Sequence, residues 1–138
     1  MPIPELRFTI LTDSGDARGS SFQTGSQWLE QLDKLADAHI ATLLPGHVRG
    51  NHYHVERREV IFVLYADEWQ LAWDLGEGTQ ATVQTFIGSG AVIIEVDPYV
   101  SHAVANTGKE LLWIIGLTNG IWDPQAPDSY PRKVFPPS

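Results

Sequence analysis

Residues 45–65 read Pro45-Gly46-His47-Val48-Arg49-Gly50-Asn51-His52-Tyr53-His54-Val55-Glu56-Arg57-Arg58-Glu59-Val60-Ile61-Phe62-Val63-Leu64-Tyr65. The stretch opens on a Pro-Gly turn and carries two histidines one residue apart. It then passes four consecutive charged residues, Glu56 to Glu59, and ends in a β-branched and aromatic run. Such a run, bounded by turn residues, is a strand. Alternate side chains of a strand share a face, so His52 and His54 project together, at a separation that one metal ion can bridge. Glu59 lies five residues past His54, an odd offset that a continuous strand would turn to the opposite face. Glu56-Arg57-Arg58 reads as a turn, so Glu59 opens a new strand and can face inward; if it does, parity turns Ile61, Val63 and Tyr65 to the same side.

Outward from this stretch the pattern repeats. Leu6–Leu11, Ile40–Leu44, Gly50–Val55, Glu59–Tyr65, Trp69–Asp74, Ala81–Ile87, Ala91–Val96, His102–Asn106 and Leu111–Leu117 all read as short strands. Turn signals separate them at Gly76-Glu77-Gly78, Gly88-Ser89-Gly90, Asp97-Pro98 and Thr107-Gly108. Many short strands at about ten-residue spacing predict an all-β antiparallel sandwich or barrel. Asp13–Thr24 reads as loop. Ser26–Ala38 is the one predicted helix, with Ser26 as its cap and Trp28, Leu32 and Leu35 at helical spacing. Asn119–Ser138 holds five of the nine prolines and reads as an extended tail on the surface of the barrel or of a neighbour. No repeat or linker divides the chain, so residues 1–138 read as a single domain.

Composition narrows the function. Of 138 residues, 43% are hydrophobic, which fits a globular protein. A net charge of −8 disfavours nucleic acid and anionic membrane as partners. With no cysteine, disulfides, thiolate nucleophiles and cysteine zinc sites are excluded. Met1–Glu5 lacks a secretory pattern, and no apolar run approaches the ~20 residues of a membrane helix. The expected compartment is therefore the cytoplasm.

His102, far along the chain, completes a candidate ligand set with His52, His54 and Glu59. Three imidazoles and one carboxylate suit zinc, iron, manganese, nickel or cobalt. In an octahedral site they leave positions open for water or substrate. His39 reads as a strand-end residue and His47 as a loop residue.

The segment Gly46, His52, His54, Glu59 resembles the first cupin motif, with Ala66 where glycine is usual. Gly90, Pro98, His102 and Asn106 resemble the second, with Val100 in place of a glycine and His102 one residue closer to the proline. A closer likeness runs through Asp16-Ala17-Arg18-Gly19-Ser20, Arg49–His54, Trp122-Asp123-Pro124 and Pro127-Asp128-Ser129-Tyr130. It is to the C-terminal cupin domain of capsular-polysaccharide reductase/epimerases, relative to which Gly25–Ala38 looks like an insertion. The resemblance implies a cupin β-barrel (a double-stranded β-helix, or jelly roll), zinc at the four ligands, and a homodimer. It also implies epimerisation of a nucleotide-linked keto-sugar beside its carbonyl. The companion reductase domain of that family has no counterpart here, and the chain has no Gly-x-Gly-x-x-Gly.

For that chemistry Tyr65 is the candidate acid or base, given an inward Glu59. Arg49 is the candidate partner of a phosphate or carboxylate. Trp69 and Trp73 share a face, and Trp73 is the candidate for stacking on a sugar ring; filling the barrel is the other use of such indoles. An iron or manganese dioxygenase and a non-catalytic sugar-binding cupin are the competing functions, and fold does not choose among them.

Overall fold

A computed structural model of the chain describes residues 3–137. The elements are β1 (Leu6–Ile10), α1 (Gln27–Leu32), β2 (Asp37–Leu43), β3 (Val48–Tyr53), β4 (Glu59–Tyr65), β5 (Trp69–Asp74), β6 (Thr82–Phe86), β7 (Gly90–Val96), β8 (Ser101–Ala105), β9 (Leu112–Thr118) and β10 (Tyr130–Pro131). Two five-stranded sheets face each other. The first runs β1-β7-β4-β9-β2 and the second β10-β3-β8-β5-β6. Every strand pairing is antiparallel. From β2 to β9 the chain passes repeatedly from one sheet to the other, which is the connectivity of the jelly-roll barrel that the sequence predicts.

The period-2 pattern decides what lies inside. Ile61, Val63 and Tyr65 of β4 do face inward, joining Val92, Ile94 and Val96 of β7, Trp69 and Leu71 of β5, Val104 of β8, and Leu112 and Ile114 of β9. Each fully buried aliphatic side chain contributes roughly 2 kcal/mol. The central strands are covered outside as well. Outside the first sheet, Val60, Ile93 and Leu117 pack against Leu32 of α1. Outside the second, Ala72 and Ala103 pack against Val134 of the tail, their small side chains letting the tail lie close.

The helix is shorter than predicted. It stops at Leu32, where Asp33 turns to φ 70° and its N–H bonds back to the carbonyls of Leu29 and Glu30. Ser26 makes no side-chain cap bond, and Leu35, beyond the end, is exposed. The chain then enters β2 at Asp37, pairing with β9, so His39 lies inside that strand and not at its end. Pairing with a formed neighbour outweighs the weak local preference for helix there. The tail lies on the barrel, as expected, and also adds β10 to the edge of the second sheet by pairing with β3.

Candidate metal centre

The chain reaches the centre through a bulge. The register of β3 against β8 shifts between Gly50 and His52. Gly50 sits at φ 98°, where a Cβ would come within 2.7 Å of the His102 carbonyl, so only glycine allows the strands this close. Asn51 follows at φ 55°, and His52 then pairs directly with His102. His54 lies just past β3, and its carbonyl accepts from the Tyr99 N–H at 2.6 Å. A bend at residues 55–56 leads to Glu59, the first residue of β4. The Asn119 side chain accepts from the Arg58 N–H, and the Arg58 guanidinium donates to Asp97 at 2.6 Å, which ties this bend to two neighbouring loops.

One ligand atom from each of His52, His54, Glu59 and His102 lies within 4.8 Å of the other three. The histidine ring centres are 4.8–5.9 Å apart. His102 donates from Nδ1 to the Val100 carbonyl at 3.0 Å and turns Nε2 to Glu59 Oε1, also at 3.0 Å. Burial works against charge on His102, but the Glu59 carboxylate prevails and raises its pKa. Burial likewise opposes ionisation of Glu59, and its bond to His102, with the His54 ring close by, holds its pKa well below the usual range. Burial, with His102 and His54 alongside, lowers His52 to about 4, so its imidazole is neutral at pH 7, as a metal ligand must be.

The fit to a metal rests on one atom above all. His54 Nε2 is buried without a hydrogen-bond partner, 3.7 Å from Glu59 Oε1. A buried, unpaired imidazole nitrogen is costly unless something binds it. Nitrogen and carboxylate donors converging on that point suit a borderline divalent ion.

The other candidates fall differently. Trp73 pairs with His102 across β5 and β8 and packs edge-on to Phe8, beside the cluster. Arg49 pairs with Val104, two residues along β8 from His102, and its Nε donates to the Thr42 carbonyl at 3.0 Å. Tyr65 is six residues from Glu59 along β4, about 20 Å away. It packs against Trp69 and Phe86 in the core, so the structure does not bring it to the site. The second cupin-like motif divides in role. His102 joins the cluster, whereas Asn106 donates to the carbonyls of Leu43 and Glu110 and accepts from the Gly108 N–H, pinning loops at the other end. Asp128 has no candidate role from residue pattern alone, yet it contacts both His54 and the loop to Glu59.

An antiparallel jelly roll with three histidines and a glutamate converging at one end defines a cupin. Residues 14–130 match the family described as polysaccharide biosynthesis C-terminal domain, and the chain belongs to that family. The fold is shared with the capsular polysaccharide assembling protein CapF of Staphylococcus aureus, at 20% identity and a TM-score of 0.63. That match covers 90% of this chain but 34% of the CapF chain, so this chain spans about a third of its length. The 3,4-ketoisomerase QdtA of Thermoanaerobacterium thermosaccharolyticum, solved with TDP-4-keto-6-deoxyglucose, matches at 13% identity and a TM-score of 0.64, covering 90% of this chain and 85% of that one. A dTDP sugar isomerase of Desulfovibrio desulfuricans matches at 13% identity and 0.73, covering 95% and 85%. No curated protein matches in sequence. Among the described residues no helix is long and apolar enough to cross a membrane.

Proposed function

We propose that His52, His54, Glu59 and His102 hold one divalent metal ion, and that the protein isomerises or epimerises a nucleotide-linked keto-sugar. The observation that carries the reading is the convergence of four ligand atoms within 4.8 Å, one of them a buried nitrogen with no partner. Family membership and the sugar-nucleotide enzymes that share the fold support the substrate class. Zinc is the ion that the family likeness implies; iron, manganese, nickel and cobalt fit the same donors. When bound, such an ion stabilises negative charge on a substrate oxygen by several kcal/mol.

The chain's own residues supply the rest. Three neutral imidazoles and one carboxylate leave a divalent centre with net positive charge, suited to a developing enolate. Trp73, beside His102, offers an apolar face for a sugar ring. Next to it lies a cavity of about 340 Å³, lined by Glu5, Leu6, Trp73, Asp74, Thr79 and Thr82 among others.

The test follows a carbon-bound proton. Fully metallated protein is incubated with a panel of nucleotide-linked 4-keto sugars in heavy water, and deuterium incorporation is read by NMR. Wild type is expected to exchange one position beside the carbonyl. Glu59→Gln, which removes a charge but little volume, should abolish exchange with the barrel intact. No incorporation across the panel removes this reading in favour of a dioxygenase or a non-catalytic sugar-binding cupin. Elemental analysis should find one metal per chain, lost in His52→Ala and His102→Ala; full occupancy in both variants contradicts the ligand assignment.

A further inference from the structure

We propose that Asp128, in the tail, is the positioning residue of the metal centre: its carbonyl fixes the ring of His54, and its carboxylate shapes the loop that delivers Glu59. This rests on the metal-binding reading above. The Asp128 carbonyl lies 2.7 Å from His54 Nδ1. A carbonyl oxygen has no proton to give, so Nδ1 carries the hydrogen and donates. In the neutral ring the lone pair is then on Nε2, the buried, unpartnered nitrogen of the cluster. Arg57 Nε lies 3.4 Å from the same Nδ1, but facing a protonated nitrogen it cannot compete.

The carboxylate works on the next residues. Its Oδ1 accepts from the Val55 N–H at 2.9 Å and the Glu56 N–H at 3.3 Å. Its Oδ2 accepts from Glu56 and Arg57, each at 3.0 Å. Three successive N–H groups thus converge on one anion, in the segment joining His54 to Glu59. Asp128 itself is at φ 48°, a conformation that Asp adopts more readily than most residues.

The tail is held firmly enough to transmit this. Arg132 grips Asp74 with two nitrogens, at 3.0 and 2.8 Å. The Asn51 side chain accepts from the N–H groups of Val134 and Phe135 and donates to the Phe135 carbonyl. Asn51 lies in the bulge that turns β3 toward His102, so the same strap is tied to the metal cluster at both ends.

The experiment has two arms. In the first, ring-nitrogen NMR of metal-free wild type is expected to show His54 in the Nδ1–H form, with a downfield hydrogen-bonded ring proton. Asp128→Ala and Asp128→Gly keep the carbonyl but remove the carboxylate bonds to Val55, Glu56 and Arg57 that seat it against His54, so both should mix the tautomers, the glycine variant preserving the left-handed backbone. In the second, cobalt(II) titration well below the melting temperature should show affinity falling about 10–100-fold in both variants. Asp128→Asn, which keeps one acceptor oxygen, should lose less. A merely structural clip would lower the melting temperature and leave tautomer and affinity unchanged, and that result overturns the proposal. Full affinity in Asp128→Gly also overturns it. Wild type that takes up no cobalt sinks the metal reading itself, while the metal-free spectra still decide whether Asp128 sets the His54 tautomer.

Discussion

The outer faces of the two sheets are covered in different ways. The second sheet is sealed by the chain's own tail, with Val134 only 2% exposed against Ala72 and Ala103. The first is covered over one part by α1, through Leu32 and Trp28. Beyond the helix, Ile40 (71% exposed), Leu64, Trp113 (49% exposed) and Ile115 stay open to solvent, beside the unpaired edge of β2. His52 and His102 ride on the sealed sheet, with His54 directly after β3, and only Glu59 comes from the other. The contrast teaches that the tail does two things at once, closing an apolar surface and bracing the side of the barrel that carries the imidazoles. We propose that the open patch, with no charged residue among those lining its groove, seats the second copy that the family likeness implies, since the chain's net charge of −8 would keep charged faces apart.

The sharpest way to break this contrast is Arg132→Ala. It frees the strap and leaves the buried Asp74 carboxylate without its partner. The expected loss is about 4 kcal/mol, read by denaturant unfolding; a loss under about 1 kcal/mol would mean that the strap does not hold the second sheet. Leu32→Ala tests the helix-covered face. Leu32 is fully buried, and truncation should cost about 3 kcal/mol without altering metal content. Metal loss in that variant would show that the two faces are not independent. The smallest effect on stability belongs to the open patch. Trp113→Ser should change stability by less than about 0.5 kcal/mol but convert a dimer to monomer in light scattering. Wild type running only as a 15.3 kDa species at micromolar concentration would remove the second copy altogether.

Much of the fold was legible because central strands announce themselves. β4 and β5 run over the residues that their composition marks, Glu59–Tyr65 and Trp69–Asp74, since β-branched and aromatic runs between turns have few other uses. The helix was legible only in part. Trp28 and Leu32 do pack on the first sheet, but the periodicity ran on to Leu35 after the chain had left the helix at Asp33. In the site, the parity of His52 and His54 and the turn before Glu59 predict that these three side chains meet, and in the structure they cluster. Tyr65 illustrates the limit of parity. It shares the inward face with Glu59, yet one strand's length separates the polar end of the barrel from the aromatic end, where Trp69 stacks on Phe86 at 4.4 Å.

What the sequence determined by itself is which three neighbouring polar side chains, His52, His54 and Glu59, turn to one place, and the jelly-roll strand pattern, because both follow from local rules: a period of two, and turns that reset it. What only the tertiary structure decided is which nitrogen His54 and His102 present and what holds the loop between His54 and Glu59. Those depend on Val100 for His102 and on Asp128, 74 residues away, for His54. A backbone carbonyl is the same in every residue, so a contact made by one leaves no mark in the amino-acid sequence until the chain is folded.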